Sequence, residues 1–279
     1  MKQRVIYSGV AILLVFGLFF FGKTTGEKPK SVSETADVVP AFNAEKEIDS
    51  LKSTLPPELA KSLQNLEKET GGESSAEKYT ALAEFWKDSA SNIVPYVYYI
   101  SKAAELENSE KSLTFAAQFI LENMRRESRL DLKLWEAKTA AGLFEQALKL
   151  NPSSHELKIG LGSCYVFGPG MTGNAQESMK GIQQLLEVAR EDSNNMKAQL
   201  VLGIASVISN QVDKGIERLQ KVVDFDPNNL EAVSWLADAY AVEGDVANAR
   251  KWYEHSKHIV NNPAFSKEID ERIKLLEQQ

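Results

Sequence analysis

The amino-acid sequence predicts an all-α protein, in which a solenoid of stacked helix-turn-helix hairpins follows an N-terminal transmembrane helix. Two observations lead to this prediction. Small and apolar residues recur every 34 positions between residues 196 and 262, and residues 5–22 contain no charged side chain. A fixed period of this size is typical of helical hairpins that bury their apolar surface only against their neighbours.

The period is visible at three sets of positions: Leu202-Gly203 and Leu236-Ala237, Gly215 and Ala249, Leu219 and Tyr253. We expect the small residues to let the two helices of a hairpin approach closely, and the large residues to fill the space between hairpins. Pro227 comes where a helix is predicted to end, because proline cannot continue it.

At these spacings the segment resembles the tetratricopeptide repeat. The resemblance rests on Leu236-Ala237, Tyr240, Gly244-Asp245, Ala249, Tyr253 and, one repeat earlier, Asp226-Pro227-Asn228-Asn229, and it covers residues 109–262. It implies a right-handed solenoid whose concave face is lined by the first helix of each hairpin. It also implies that a protein or peptide partner binds in that concave groove.

The predicted organisation has four parts. Residues 1–22 form the transmembrane anchor, residues 23–75 a linker with one or two short helices, residues 76–262 an array of about five hairpins, and residues 263–279 a capping helix. Residues 44–55 and 58–69 have helical apolar spacing and are separated by Pro56-Pro57. They are interpreted as a cap on the first hairpin, with a short dimerising coiled coil as the alternative.

The uncharged run of 18 residues is close to the ~20 that cross a bilayer as a helix. A signal peptide is the alternative, but no clear small-x-small cleavage site follows at Lys23, so we expect the span to be retained. Basic residues flank it almost equally on both sides. Because the leading segment is very short, the repeat domain is expected on the periplasmic or extracytoplasmic side, as in the bacterial membrane-anchored repeat proteins that the chain resembles.

The charge distribution argues against nucleic acid as a ligand. The chain carries a formal net charge of −7, and residues 1–30 hold five basic residues and one acidic residue. The rest of the chain therefore has 27 basic and 38 acidic residues, and an acidic body repels phosphate backbones.

Two hairpins depart from the period. Phe115-Ala116 lies 33 residues after Leu82-Ala83, but the second helix of that hairpin comes twelve residues late, so that its helices are longer or a loop intervenes. The next hairpin has seven extra residues within 166–174. This insertion forms a glycine-rich loop that we interpret as a possible contact site: Gly168, Gly170, Met171 and Gly173.

No motif in the chain predicts catalysis, a cofactor or a metal. The spacing Gly168-x-Gly170-x-x-Gly173 matches a dinucleotide fingerprint as a string, but a helix and not a strand is predicted before it. His255 and His258 are three residues apart on a helix, without converging ligands. Cys164 is predicted to be a small buried apolar residue. The protein is therefore not expected to be an enzyme.

The resemblance assigns the concave face to the second, fifth, ninth and twelfth positions of each repeat. Carried onto this chain, it predicts a protein-binding groove formed by Leu113, Ile120, Ile159, Ser163, Leu200, Ile204, Val207, Ser234 and Asp238. Basic residues that would grip a terminal carboxylate are lacking there. An apolar floor with acidic edges instead suits an apolar segment with basic flanks.

These features predict a membrane-tethered scaffold that assists assembly of an envelope complex through its concave groove. The alternative is a homo-oligomeric structural element that uses the same apolar surface for self-association. Cover of that surface by the N-terminal helices would explain the apolar floor as well.

Overall fold

The structure, a computed structural model, describes residues 41–69 and 75–278. Within them all regular structure is helical. The α-helices are α1 Ala44–Thr54, α2 Pro57–Glu69, α3 Ala76–Glu84, α4 Ile93–Glu107, α5 Glu110–Arg126, α6 Leu130–Leu150, α7 His155–Phe167, α8 Ala175–Glu191, α9 Met196–Ile208, α10 Val212–Phe225, α11 Leu230–Glu243, α12 Val246–Val260 and α13 Pro263–Leu276.

The predicted transmembrane span, residues 5–22, lies outside the described residues. Among the helices that are described, none combines the length and the apolar character needed to span a bilayer.

Five hairpins follow one another in the chain, as the period predicts: α3–α4, α5–α6, α7–α8, α9–α10 and α11–α12. The first helices of successive hairpins contact one another from α5 to α11. A single apolar core runs from α4 to α13, where Ile269 and Ile273 of α13 are buried against the last hairpin. Helix α13 thus covers apolar surface of the last hairpin.

Repeated turn chemistry starts two of the first helices. Before α9, the Asp192 carboxylate accepts the Asn194 amide at 3.0 Å and Asn195 Oδ1 accepts the Ala198 amide at 3.1 Å. Asp226 and Asn229 make the same bonds 34 residues later, before α11. Asparagine at a helix N-cap satisfies an amide that has no partner within the helix, so these turns fix where each hairpin begins.

Glycine sits where the two helices of a hairpin are closest. A Cβ placed on Gly203 would lie 2.8 Å from Leu219 Cγ, and one on Gly215 would lie 2.6 Å from Val207 Cγ2. In the preceding hairpin, a Cβ on Gly181 would lie 2.7 Å from the carbonyl oxygen of Gly162. The predicted role of these small residues in helix approach is therefore confirmed.

Both insertions are resolved by the structure. The twelve extra residues lengthen α5 and α6 to 17 and 21 residues, with only residues 127–129 between them. The seven extra residues fall at the junction of α7 and α8, which contains a four-residue 3₁₀ turn, Pro169–Thr172.

The helices α1 and α2 pack on the first hairpin. Ile48 of α1 and Leu63 of α2 are buried with Leu82 and Trp86 in a second apolar cluster. Helix α1 contacts α4, and α2 contacts α3. The apolar faces of these two helices are thus buried against the first hairpin.

Glu136, on α6, is a titratable side chain with no exposed surface. Asn123 Nδ2 donates to its Oε1 at 2.6 Å, while its Oε2 has no partner among the described residues. Burial raises the pKa of this carboxyl from 4.5 to about 7, against a smaller lowering by the Asn123 hydrogen bond. The carboxyl is therefore held in a place that favours its neutral form.

Gly203→Leu is expected to destabilise the protein by about 1–3 kcal/mol or more, because the new side chain has no room beside Leu219. The matched control is Gly142→Ala on α6, where an added Cβ meets nothing within 4 Å. That control should be neutral or stabilising by up to about 1 kcal/mol. Thermal melts followed by circular dichroism make the comparison, and equal melting temperatures for Gly203→Leu and wild type would contradict the packing.

Glu136→Gln is expected to stabilise the protein at pH 8 by about 1–3 kcal/mol, because ionised Glu136 lacks a partner for Oε2. The pKa is raised in the folded state, so wild type loses stability as pH rises from about 4.5 to about 7. The difference should therefore vanish near pH 4. Urea unfolding at both pH values measures it, with the exposed Glu122→Gln as control. A difference that does not depend on pH would contradict this assignment.

Candidate functional site

A concave cavity lies on the face formed by the first helices α5, α7 and α9. Its volume is about 1,070 Å³. We call it the inner groove, and its apolar lining consists of Phe115, Phe119, Leu121, Ile159, Met196, Leu200, Val201 and Phe225.

Two of these aromatic side chains are largely open to solvent. Phe115 is 60% exposed and Phe225 is 72% exposed. Phe119 is partly buried against the core, and its ring centre lies 4.8 Å from that of Tyr96 in an edge-to-face arrangement. Large apolar side chains that converge on one cavity and remain exposed are typical of a binding surface.

Local sequence explains why the two phenylalanines point outward. Helix α5 buries Leu113, Ala117 and Ile120 at helical spacing, which leaves Phe115 on another face. Phe225 is the last residue of α10, immediately before the turn that begins at Asp226. Each position follows from the geometry of its helix, and neither side chain is needed to fill the core.

The polar edge of the inner groove is mainly acidic. Glu122, Glu156 and Asp192 line it, against Lys197 and Arg125 as the cations. Gln118 Nε2 donates to Glu156 Oε1 at 2.7 Å and so orients that carboxylate across the groove.

Charged side chains also pair beside the groove. His155 Nε2 lies 2.7 Å from Glu191 Oε2, and this hydrogen bond holds the pKa of the Glu191 carboxyl below its usual range. Arg125 forms an ion pair with Glu231, and its guanidinium carbon lies 4.5 Å from the centre of the Phe167 ring. Since Glu231 neutralises Arg125, the free charge at the edge is predominantly negative.

Three of the predicted groove residues lie in the inner groove: Ile159, Ser163 and Leu200. Three others lie in the core with no exposed surface: Leu113, Ile120 and Ile204. For these three the predicted ligand-facing position is corrected, because a residue without exposed surface supports the groove and cannot touch a ligand.

The remaining predicted residues lie outside the cavity lining. Val207 packs against Gly215 of the neighbouring helix. Asp238 Oδ1 accepts a hydrogen bond from the Tyr253 hydroxyl at 2.6 Å and lies 3.8 Å from Arg272 Nη1 of α13. Ser234 is half-buried on the same helix. The Asp238 carboxylate thus already contacts side chains of α12 and α13.

The sequence analysis missed Phe115 and Phe225 as site residues. It aligned Phe115 with Leu82, but Leu82 is buried in the core and Phe115 is exposed, so that register was wrong. Phe225 is on a second helix, outside the positions that the resemblance assigns to the groove. A signal for Phe115 was available, because it breaks the apolar spacing of α5.

Of the four residues of the predicted contact loop, two are buried and two are exposed to solvent. Gly168 and Gly170 are buried, and a Cβ on Gly168 would lie 2.4 Å from that of Ala137. Met171 is 49% exposed, and Gly173 is exposed with a positive φ of 77°. Helix α7 precedes this loop, as the sequence predicts, whereas a dinucleotide-binding fingerprint follows a strand.

The part of the chain that the structure describes contains no group of three or more His, Cys, Asp and Glu side chains arranged for a metal ion. His255 Nε2 lies 2.7 Å from the Pro227 carbonyl oxygen, while His258 is exposed. Cys164 is buried and free, and burial raises the pKa of its thiol, as expected of an unreactive core residue.

Comparison with known proteins gives a family match and fold matches. The tetratricopeptide repeat family matches residues 200–258. The thermophilic TPR protein TTC0263 of Thermus thermophilus is similar in structure, with a TM-score of 0.52 and 14% identity over 74% of this chain and 100% of that one. MamA of Desulfovibrio magneticus gives a TM-score of 0.45 and 20% identity over 68% and 96% of the two chains.

YrrB, a TPR protein described as having an unusual peptide-binding site, gives a TM-score of 0.44 and 16% identity over 76% of this chain and 97% of that one. No curated protein matches the chain. The folds of these neighbours are generally those of non-catalytic scaffolds for protein–protein interaction. Residues 200–258 match the tetratricopeptide repeat family, and the fold shared with TTC0263 extends the helical-hairpin solenoid over most of the chain.

Proposed function

We propose that this protein is a non-catalytic scaffold that binds an apolar segment of a partner protein, flanked by basic residues, in the inner groove. The observation that carries the proposal is the pair of exposed aromatic side chains, Phe115 and Phe225, at one concave cavity. Burying a phenylalanine side chain contributes about 1.5–3 kcal/mol, so two such contacts provide a large part of a micromolar affinity.

The charges around the groove support the choice of basic flanks. Glu122, Glu156 and Asp192 lie at its edge, and the chain beyond residue 30 has 38 acidic and 27 basic residues. Complementary charge at the edge of an interface accelerates association and excludes partners of the wrong sign. An apolar segment with acidic flanks would meet like charges and bind more weakly.

Phe115→Ala and Phe225→Ala are each expected to weaken binding about tenfold or more, because each removes an anchor that the ligand buries. The probe is a fluorescent, blocked peptide of alternating leucine and phenylalanine with lysine at both ends, and fluorescence anisotropy with the full chain in mild detergent measures its affinity.

Leu275→Ala on α13 is the matched control, since Leu275 is 62% exposed but lies outside the groove. A second control replaces the terminal lysines of the peptide by glutamates. Equal affinity of the Phe225→Ala, Leu275→Ala and wild-type proteins would show that the peptide binds elsewhere, and equal affinity for both peptides would contradict the charge argument.

Self-association is the second candidate, favoured by the same exposed phenylalanines. In that case the groove of one copy accepts an apolar surface of another. Multi-angle light scattering at several concentrations distinguishes the two candidates. A dimer that Phe225→Ala converts into a monomer would favour self-association over a separate partner.

We further propose that residues 5–22 anchor the scaffold in a membrane, with the repeats on the extracytoplasmic side, where it assists assembly of an envelope complex. What supports this is the uncharged run of 18 residues without a cleavage site. Intact-mass spectrometry of the mature protein is expected to find these residues present. A mature chain that starts near residue 24 would contradict the anchor.

A further inference from the structure

One ion pair joins two helices that are not neighbours in the array. Arg125 is on α5 and Glu231 on α11, 106 residues later in the chain. Elsewhere along this face α5 contacts α7, α7 contacts α9, and α9 contacts α11. The Arg125–Glu231 pair therefore connects α5 directly to α11, the first and last of the four helices in this series.

This pair lies at the inner groove. The Arg125 side chain is part of the groove lining, and it also packs on Phe167 of α7. The side chains of Arg125 and Glu231 are 33% and 27% exposed, so the pair is neither buried in the core nor free in solvent. The pair therefore holds α5 and α11 at the distance that the Arg125 and Glu231 side chains bridge.

That separation limits what the groove can accept. A helix with its side chains is about 10–12 Å across, whereas the two side chains of the pair already occupy the space between α5 and α11. A partially exposed ion pair contributes only about 0.2–1 kcal/mol, and a favourable ligand can therefore displace it.

We propose that Arg125 and Glu231 form a clasp that is closed in the unoccupied scaffold and opens when a partner segment enters the inner groove. The proposal rests on the function proposed above for this groove. The clasp lowers the affinity of the groove, because part of the binding free energy is spent on breaking the pair. A ligand thus binds more tightly once the clasp is removed.

The first test needs no ligand. Spin labels are placed at the exposed positions Arg126 and Asn228, neither of which lines the inner groove, in a Cys164→Ala background. Pulsed electron paramagnetic resonance then measures the distance between α5 and the turn before α11. Wild type should give one narrow distribution, and Glu231→Gln a broader and longer one. The exchange of charges, Arg125→Glu with Glu231→Arg, should restore the narrow distribution. Identical distributions for wild type and Glu231→Gln would overturn the clasp.

The second test uses the lysine-flanked peptide with the full chain in mild detergent. The double variant Arg125→Gln with Glu231→Gln removes the pair without changing the net charge, and it should bind the peptide about two- to fivefold more tightly than wild type, the range that the energy of such a pair allows. Glu122→Gln is the matched control, because it changes a side chain of the same groove edge and leaves the clasp intact. It should weaken binding, since the edge loses a negative charge that attracts the lysines.

The two tests separate the clasp from the function on which it rests. Peptide addition should lengthen the label distance in wild type, and a bound peptide without that lengthening would overturn the opening step. Tightening by Glu122→Gln as large as that by the double variant would reduce the effect to edge charge and overturn the clasp as well. Failure of both wild type and the double variant to bind would contradict the proposed function, while the ligand-free distances still decide whether the pair holds α5 to α11.

Discussion

The close approach of the two helices within each hairpin is the constraint on which the rest of the structure depends. Gly203 faces Leu219 and Gly215 faces Val207 at distances that leave no room for a Cβ. Tight crossing aligns the hairpins so that each apolar surface is covered by the next, and a continuous core forms from α4 to α13.

The sequence predicts those parts of the fold that depend on the close approach of the two helices in a hairpin. Regularly spaced residues such as Gly203, Gly215 and Leu219 predict the hairpins, their turns and their order, since each residue type has one role at one spacing. Positions on the inner face are less well predicted. Ile204 and Leu200 are four residues apart on α9, yet one is buried completely and the other lines the groove. The period identifies a helix face approximately, whereas exposure depends on how far neighbouring helices are rotated.

The hairpin α5–α6 is where sequence-based reasoning fails most, and the failure has a physical cause. Its helices have 17 and 21 residues, so a template built on a 34-residue unit cannot carry the register through them. The period therefore aligns Phe115 with the buried Leu82, although Phe115 is 60% exposed. Neither Phe115 in the groove nor Glu136 in the core follows the pattern of the regular repeats, in which exposed positions are polar and buried positions are apolar.

The same irregular hairpin carries the features that distinguish this scaffold from a regular array. The lengthened α5 extends to Arg126, and Arg125 in its last turn reaches both Phe167 and Glu231. A shorter helix would end before Arg125, and the inner face would then be held only by contacts between neighbouring helices. The additional residues therefore link two hairpins that are not neighbours in the array. Because that link is a partly exposed ion pair and not a buried apolar contact, it can be broken by a ligand at a cost of about 1 kcal/mol or less while the core of each hairpin stays intact.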